Sequence, residues 1–288
     1  MSRIFGIVAE RLGQPASAGE ILAGVCISTL ALQFGHSIPL LVELVESDIL
    51  VYTADIGIFC LVLLAGIDTE YREIAKHSTE SFVVALGGVM VPMLSGFFLA
   101  WIFLEGAEHR FALALLTGIV MSITAVPATA KVLQELQLVH TRMGQVIIGA
   151  ALFDDVIGMF LLAVLLGIIG TGEIPGAAAF GMLLLKVSLF FVITIALGVK
   201  VSPHVSRKLN TMQATSLEFS AMAIVALAYG LLAESLGMHW ILGAFMAGLF
   251  FERSRVGSRS YLEITLIFTA LTRGMLAPLF FVSIGIRF

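Results

Sequence analysis

The stretch GAALFDDVIGMFLLAVLLGIIG, residues 149–170, places two adjacent aspartates, Asp154 and Asp155, in an apolar run with no other charge. The run is long enough to cross the hydrocarbon core of a bilayer, which takes about 20 residues of α-helix. A carboxylate at that depth costs about 2.5–3.5 kcal/mol on insertion scales, so intramembrane acids mark functional sites. The aspartate pair is therefore the first candidate for the functional site.

The whole chain has the composition of a membrane protein with many spans. Of its 288 residues, 59% are hydrophobic and 12% are charged, and its mean hydropathy is +1.05. Long apolar runs predict an all-α polytopic membrane protein, because membrane β-barrels are built from alternating segments of about ten residues. The predicted spans cover residues 15–33, 49–67, 81–104, 111–136, 144–169, 177–200 and 215–236, with a shorter run at 238–251 and a last span that begins near residue 275.

Nothing in the sequence indicates a cofactor, a permanently bound metal or a nucleic-acid partner. Cys26 and Cys60 both fall inside predicted spans, so they suggest neither a disulfide framework nor a pair of metal ligands. The six histidines are scattered, and the net charge of -4 comes without a basic tract that would bind nucleic acid. The chemistry is therefore expected inside the spans.

Positive charge alternates along the predicted connections, and this alternation sets the expected orientation. Connections rich in Lys and Arg stay on the cytoplasmic side. The pattern predicts a cytoplasmic N-terminus and places the connection at 170–176 outside. The basic residues of the rich connections are Arg3, Arg11, Arg72, Lys76, Lys131, Arg142, Lys200, Arg207, Lys208, Arg253, Arg255 and Arg259.

The segment SRSYLEITLIFTALTR, residues 258–273, permits two interpretations. It is either the start of the last span or an amphipathic helix on the cytoplasmic surface. We favour the surface helix, because it keeps Arg273 at the membrane interface.

An internal repeat joins the two ends of the chain. GIVAERLGQPASAGEILAG (6–24) aligns without a gap on GLLAESLGMHWILGAFMAG (230–248), with eight of nineteen positions identical. A weaker echo pairs LVLLAGIDTE (61–70) with LFFVSIGIRF (279–288), and chance resemblance accounts for it equally well. The span count makes the two copies run in opposite directions, the inverted topology of many secondary transporters. The second copy has no equivalent of the aspartate helix, so we expect an incomplete second repeat and a chain shortened at both ends.

The span before the aspartates carries a helix breaker. In GIVMSITAVPATAKVLQEL (118–136), Pro127 stands between Thr124 and Thr129. Proline removes one helical hydrogen bond and clashes with the previous turn, so we expect a broken helix whose free carbonyls and hydroxyls line a polar cavity beside the aspartates. A simple proline kink, satisfied by Thr124, is the alternative.

Two adjacent acids in a span suit exchange chemistry. Neighbours on a helix point about 100° apart, so one aspartate can face a cavity while the other meets a partner. Burial and mutual repulsion favour the protonated form of a carboxyl, and a carboxyl that releases its proton in the neutral range can bind a cation instead. Alternatively, both aspartates are hydrogen-bonded within the bundle and only orient helices.

Several stretches together resemble one known family, the monovalent cation:proton antiporter-2 family, which contains bacterial sodium/proton antiporters and Kef-type potassium efflux proteins. The resemblance covers essentially the whole chain, in the family's order. It implies an inverted-repeat antiporter fold with a broken helix in the core, a homodimer, and elevator-type alternating access of a core domain against a scaffold, in a prokaryotic inner membrane. The stretches are TAVPATAKVLQEL, GAALFDDVIGM, LLAGIDTE, ILGAFMAGLFFE and PLFFVSIGI.

The resemblance also implies roles for single residues. Asp155 matches the family's principal ion- and proton-binding carboxylate, and Asp154 matches the neighbour that pairs with an intramembrane lysine in electrogenic members. Thr124 and Thr129 match the threonines of the unwound helix. The family's lysine follows the FFVSIG element, so neither Arg273 nor Arg287 corresponds to it.

The same resemblance predicts a division of the chain. Scaffold or dimerisation helices of the first repeat are expected at 1–48 and scaffold helices of the second repeat at 201–257. Core helices are expected at 49–170, with the broken helix at 118–136 and the aspartate helix at 144–169. A linker helix at 171–200 and an interfacial helix with the start of the second core half at 258–288 complete the prediction.

The predicted function is secondary active transport, the exchange of Na⁺ or K⁺ for protons, electrogenic in the full-length protein. No enzymatic activity is expected. The alternatives are a Kef-like K⁺/H⁺ efflux protein, a non-transporting fragment and, more remotely, an intramembrane aspartyl protease that would use Asp68 with Asp154 or Asp155 as acid and base.

Overall fold

The computed structural model describes residues 2–34, 39–45, 47–69, 71–106, 109–124, 126–171, 176–201, 215–251 and 258–287. All regular structure within these ranges is helical, which confirms the predicted all-α class. Part of the orientation pattern lies outside the described residues, namely residues 172–175, Arg207, Lys208, Arg253 and Arg255.

The described residues form fourteen α-helices, numbered here along the chain, and two π-helical segments. The α-helices are α1 (Ser2–Arg11), α2 (Ala16–Phe34), α3 (Pro39–Val45), α4 (Asp48–Ile67), α5 (Tyr71–Lys76), α6 (Ser78–Phe103), α7 (Arg110–Ser122), α8 (Val126–Glu135), α9 (Arg142–Thr171), α10 (Ala177–Ala196), α11 (Thr215–Ser235), α12 (Trp240–Leu249), α13 (Ser258–Leu271) and α14 (Ala277–Ile286). The π-helical segments are Leu197–Val201, which continues α10, and Thr272–Leu276, which joins α13 to α14.

Seven helical segments of the described chain are long and apolar enough to cross a membrane. They are Ala16–Phe34, Asp48–Ile67, Ser78–Phe103, Arg110–Glu135, Arg142–Ile169, Ala177–Lys200 and Tyr261–Ile286. Two shorter apolar helices, Phe219–Ser235 and Trp240–Leu249, accompany them. The first six segments agree with the predicted spans to within a few residues, so the polytopic class is confirmed.

Helix α4 lies at the centre of the bundle. Leu61, Val62, Leu63 and Leu64 follow one another in the chain, and each is at most 1% exposed. Successive residues of a helix point about 100° apart, so four consecutive buried side chains require neighbours on every side. Those neighbours are α8, α12, α13, α14 and the π-helical segment Thr272–Leu276.

The two aligned sequence copies adopt the same helix–turn–helix geometry. Helices α1 and α11 end at corresponding residues, and α2 and α12 begin at corresponding residues. The turns contain Gly13 and Gly237, with φ of 71° and 85°, a left-handed conformation that glycine adopts without strain. Three backbone hydrogen bonds recur with the same spacing. They run from Leu12 to Ala9, Gly13 to Glu10 and Gln14 to Ala9 in the first turn, and from Leu236 to Ala233, Gly237 to Glu234 and Met238 to Ala233 in the second.

A second correspondence appears where these helix pairs meet the rest of the bundle. Gly24 of α2 faces Gly285 of α14, and Gly248 of α12 faces Gly66 of α4. A Cβ atom on Gly24 would lie 2.8 Å from the Cα of Gly285, and one on Gly248 would lie 3.0 Å from the Cα of Gly66. The two crossings make Gly66 correspond to Gly285. Aligning residues 61–70 with 279–288 pairs Gly66 with Ile284 instead, so the structural correspondence is shifted by one residue from this weaker sequence match.

The structure differs from the favoured interpretation of residues 258–273. Helix α13 passes through the π-helical segment Thr272–Leu276 directly into α14. Ile264 and Phe268 of α13 are buried, and Phe268 stacks on Phe219 with ring centroids 4.7 Å apart. The apolar side of a surface helix would face lipid, whereas the side chains of Ile264 and Phe268 pack inside the bundle. The continuous Tyr261–Ile286 segment therefore favours the other interpretation, the start of the last span.

Candidate ion-binding site

The break in the Thr-containing span separates α7 from α8. Helix α7 ends at Ser122, Ile123 is extended with φ −69° and ψ 128°, and α8 begins at Val126. Pro127 is the second residue of α8 and is buried. Because its ring would clash with the carbonyl of Ile123 in a continuous helix and has no N–H to offer it, the chain unwinds one turn before the proline.

Helix α6 holds the broken segment and the aspartate helix side by side. Gly118 of α7 packs so closely on α6 that an added Cβ would lie 2.5 Å from the carbonyl oxygen of Met93. On the other contact, a Cβ on Gly149 of α9 would lie 2.5 Å from the hydroxyl of Ser81. Helices α7 and α9 also touch directly. This packing brings the break alongside the middle of α9, since Asp154 lies about 18 Å from the start of that helix.

Asp154 is bound to the break. The backbone N–H of Thr124 donates a hydrogen bond of 2.7 Å to the Asp154 carboxyl Oδ2, and Asp154 is only 6% exposed. A donor freed by unwinding thus compensates a buried carboxylate, and such charge-assisted bonds are about twice as strong as neutral ones. Sequence reasoning placed Thr124 beside the pair, but the contact uses its backbone.

Asp155 differs from its neighbour. It is partly exposed, and within the described residues it makes no hydrogen bond and no ion pair. One step along α9 turns its side chain about 100° away from Asp154. Within the described chain, the pair therefore consists of one anchored carboxyl and one partly exposed carboxyl that has no partner.

The other predicted site residues do not bind the aspartate pair in the described chain. Thr129 is half-buried in α8 and makes no hydrogen bond to either aspartate in the described chain. Arg273 lies 3.9 Å from Asp68. Among the described residues, no basic side chain forms an ion pair with Asp154 or Asp155, so the structure does not supply a counterpart of the lysine implied by the resemblance.

A second polar cluster, which sequence reasoning missed, surrounds the other end of α8. Glu20 of α2 is 2% exposed, and Ser17 on the same helix donates a 3.3 Å hydrogen bond to Glu135 of α8. Lys131 lies 3.1 Å from Glu135. The charge pattern counted Lys131 with the connection that follows this span, whereas it is a largely buried residue of α8. A lone glutamate in the apolar stretch AGEILAGV was the available signal.

Asp68 joins this end of α8 from the central helix. Gln134 donates a 3.1 Å hydrogen bond to the Asp68 carboxyl. Burial raises the pKa of Asp68, and the positive charges of Arg273 and His140 partly oppose that effect. Asp68 is therefore engaged with α8 and the π-helical segment.

Comparison with known proteins gives a consistent result over the whole chain. The family model described as sodium/hydrogen exchanger, transmembrane, matches residues 1–288. The chain is 30% identical to the probable Na(+)/H(+) antiporter GerT of Bacillus cereus over 99% of its own length and 71% of the relative. It is 28% identical to the Na(+)/H(+)-K(+) antiporter GerN of the same organism over 99% and 68%. It is also 28% identical to the high-affinity Na(+)/H(+) antiporter NhaS3 of Synechocystis over 99% and 66%.

Proposed function

Because the chain belongs to the transmembrane sodium/hydrogen exchanger family, we propose that it exchanges a monovalent cation, Na⁺ or K⁺, for protons across a membrane. The family and these relatives are transporters and not enzymes, so the aspartyl protease alternative is set aside. The observation that carries the proposal is the difference between the two aspartates: Asp154 is anchored on the helix break, and Asp155 is partly exposed and has no partner among the residues that the structure describes.

Asp155 is the proposed carrier of the exchanged ion. Its carboxyl binds either a proton or a metal cation, and the two exclude each other at one group. The neighbouring Asp154 carboxylate adds negative charge, which favours binding of either positive ion. Competition of this kind couples the release of one ion to the uptake of the other.

The break supplies the complementary polar groups. The N-terminus of α8 carries the partial positive charge of a helix start, and the C-terminus of α7 carries the opposite partial charge. The first end suits the Asp154 carboxylate, and the carbonyl oxygens of the second suit a cation with part of its hydration shell removed. We assign Thr124, Pro127 and Thr129 to the support of this break, Asp154 to its anchoring and Asp155 to ion binding.

The finer parts of the proposal follow from the family resemblance. They are electrogenic exchange, elevator-type alternating access in a homodimer, a cytoplasmic N-terminus and a prokaryotic inner membrane. The inverted repeat and the division into scaffold and core belong to the same proposal, and the twin turns at Gly13 and Gly237 and the twin glycine crossings support it. K⁺ stays a candidate beside Na⁺, since the relative GerN is named for both.

The proposal is tested by aspartate substitutions in everted vesicles, where cation addition dissipates a preformed pH gradient. Asp155→Asn should abolish this dissipation. Asp154→Asn should retain part of it, because an amide oxygen still accepts the N–H of Thr124. Asp48→Asn, at the exposed start of α4, is the matched control and should exchange like the parent.

Two results would decide against this assignment. Undiminished exchange by Asp155→Asn removes Asp155 from ion binding. Absence of exchange in the parent, with a folded protein in the vesicles, favours the non-transporting alternative. A membrane-potential dye that stays silent on Na⁺ addition to an exchanging protein would reject electrogenic exchange alone.

A further inference from the structure

Glu20 is a buried carboxyl that the proposed exchange site does not use. It is 2% exposed, and its Oε2 atom has no hydrogen-bond partner in the described part of the chain. Its stem is packed between helices, since a Cβ atom on Gly6 of α1 would lie 3.5 Å from the Glu20 Cγ. An ionised oxygen that is buried without a partner is strongly destabilising, so Glu20 needs a ligand.

The groups around Glu20 come from α8 and α1. Lys131 and Glu135 of α8 and Arg3 and Glu10 of α1 exert the principal charges on it. Arg3 is engaged elsewhere, because its guanidinium donates to the carbonyl oxygen of Gly274 at 3.0 Å. The other elements packed on α2 bring apolar side chains, Val282 and Ile286 from α14 and Val45 from α3.

The nearest charges do not balance. Lys131 lies 3.1 Å from Glu135, and Ser17 donates to the other oxygen of that carboxyl at 3.3 Å. The ammonium of Lys131 and the hydroxyl of Ser17 thus contact Glu135. The negative charge of an ionised Glu20 is left unbalanced. A proton neutralises Glu20 without needing a shell of ligands, whereas a metal cation at Glu20 would also meet the positive charge of Lys131.

We propose that Glu20, facing Lys131 and Glu135, is a second proton-binding site, located where α2 contacts the second half of the broken helix. With the proton bound, Lys131 remains with Glu135. With the proton lost, Glu20 competes with Glu135 for the same ammonium and the contact between α2 and α8 rearranges. The site is separate from the aspartate pair, because the two lie at opposite ends of α8.

The consequence for transport rests on the proposed function. Helix α8 adjoins Asp154 at its first end and carries Lys131 and Glu135 towards its other end. A change of the α2–α8 contact therefore alters the position of the break, and the exchange rate should depend on the protonation of Glu20.

Infrared spectroscopy tests the site without any transport measurement. The chain is purified in detergent, and the C=O stretching band of protonated carboxyls is followed while the pH is raised. Glu20→Gln should remove one titrating carboxyl from this band. Glu234→Gln, an exposed glutamate of α11 with the same chemical change, should leave the band intact. The proton on Glu20 should persist in the Asp154→Asn/Asp155→Asn double variant, because the site does not need the pair.

A second variant covers the possibility that Glu20→Gln does not fold. Lys131→Gln removes the ammonium that stabilises ionised carboxyls nearby, so the protonated band should survive to higher pH than in the parent. Either of two results would overturn the proposal. If Glu20→Gln leaves the band complete, or if Lys131→Gln does not shift the pH at which the band titrates, Glu20 is not a proton site.

Transport supplies the last readout. In everted vesicles, Glu20→Gln should flatten the dependence of the exchange rate on pH while keeping exchange at the optimum within about threefold of the parent. An unchanged pH profile, with the infrared band lost, would refute the link to transport and keep the proton site. If neither the parent nor any variant exchanges ions, the proposed function is refuted. The infrared result still decides whether Glu20 binds a proton.

Discussion

Replacing Gly248 by alanine tests how closely α12 approaches the central helix α4. An added Cβ would collide with the carbonyl oxygen of Leu63 and would lie 2.9 Å from the nitrogen of Ile67 and 3.0 Å from the Cα of Gly66. Ordinary van der Waals contacts of a Cβ begin at 3.4 Å. All three obstructing atoms are backbone atoms of a helix buried on every side, so no side chain can rotate away and the two helices must separate.

The magnitude follows from comparison with a glycine in open surroundings. Overpacking of a buried contact costs about 1–3 kcal/mol, and backbone obstruction favours the upper end of that range. Alanine also gains up to about 1 kcal/mol over glycine in a helix. Gly87→Ala in α6 shares that gain, and its added Cβ meets no atom of the described residues within 4 Å. The difference in unfolding free energy between the two variants therefore isolates the overpacking, and we expect about 3 kcal/mol.

The measurement is unfolding in mixed micelles with an increasing fraction of dodecyl sulfate, followed by circular dichroism and tryptophan fluorescence. Trp240 begins α12 and stacks on Phe59 of α4 with ring centroids 6.1 Å apart, so it reports on the same contact. Gly24→Ala should lose as much stability as Gly248→Ala, because its crossing with α14 has the same geometry. Equal stability of Gly248→Ala and Gly87→Ala would refute the close approach of α12 and α4.

Two further predictions concern the ends of α8. Pro127→Ala restores an N–H in the first turn of α8, so the break should partly close and the bond from Thr124 to Asp154 should weaken. Cation-dependent dissipation of a pH gradient should then fall by tenfold or more, about 1.4 kcal/mol. A parental rate in this variant would show that the proline does not maintain the break. Burial raises the pKa of Asp68 against the opposing charge of Arg273, so the folded state holds that proton more tightly than the unfolded chain and loses stability as the pH rises above the ordinary aspartate value of about 3.9. As the pH rises above that value, Asp68→Asn should therefore gain unfolding free energy relative to the parent in the same assay. Parallel pH profiles of the two proteins would contradict this.

The sequence was sufficient where a single local cause determines the structure. Apolar length predicts the spans, and Pro127 predicts an interruption, which the structure places one turn earlier because the ring of a proline obstructs the carbonyl four residues before it. Each of these features depends on residues close together in the chain.

Features that depend on the partner of a residue could not be predicted. Arg273 looks like a boundary charge in the sequence, yet it lies in a π-helical segment that lets α13 continue into α14. Lys131 and Glu135 look like the polar end of a span, and only the position of α2 makes them the surroundings of Glu20. The one-residue shift of the weaker echo has the same origin, because the crossing of two helices selects Gly285.

Helix α8 connects these observations in physical terms. It has ten residues and is about 15 Å long, too short to bend and bounded by a break at its first end. Asp154 is bound at that break through Thr124, and Glu135 is bound to α2 through Ser17. Because so short a helix moves as one rigid body, a displacement of one end of α8 also moves its other end. The proton on Glu20 and the ion on Asp155 should therefore influence each other's affinity by the same factor, as linkage requires for any two coupled binding sites.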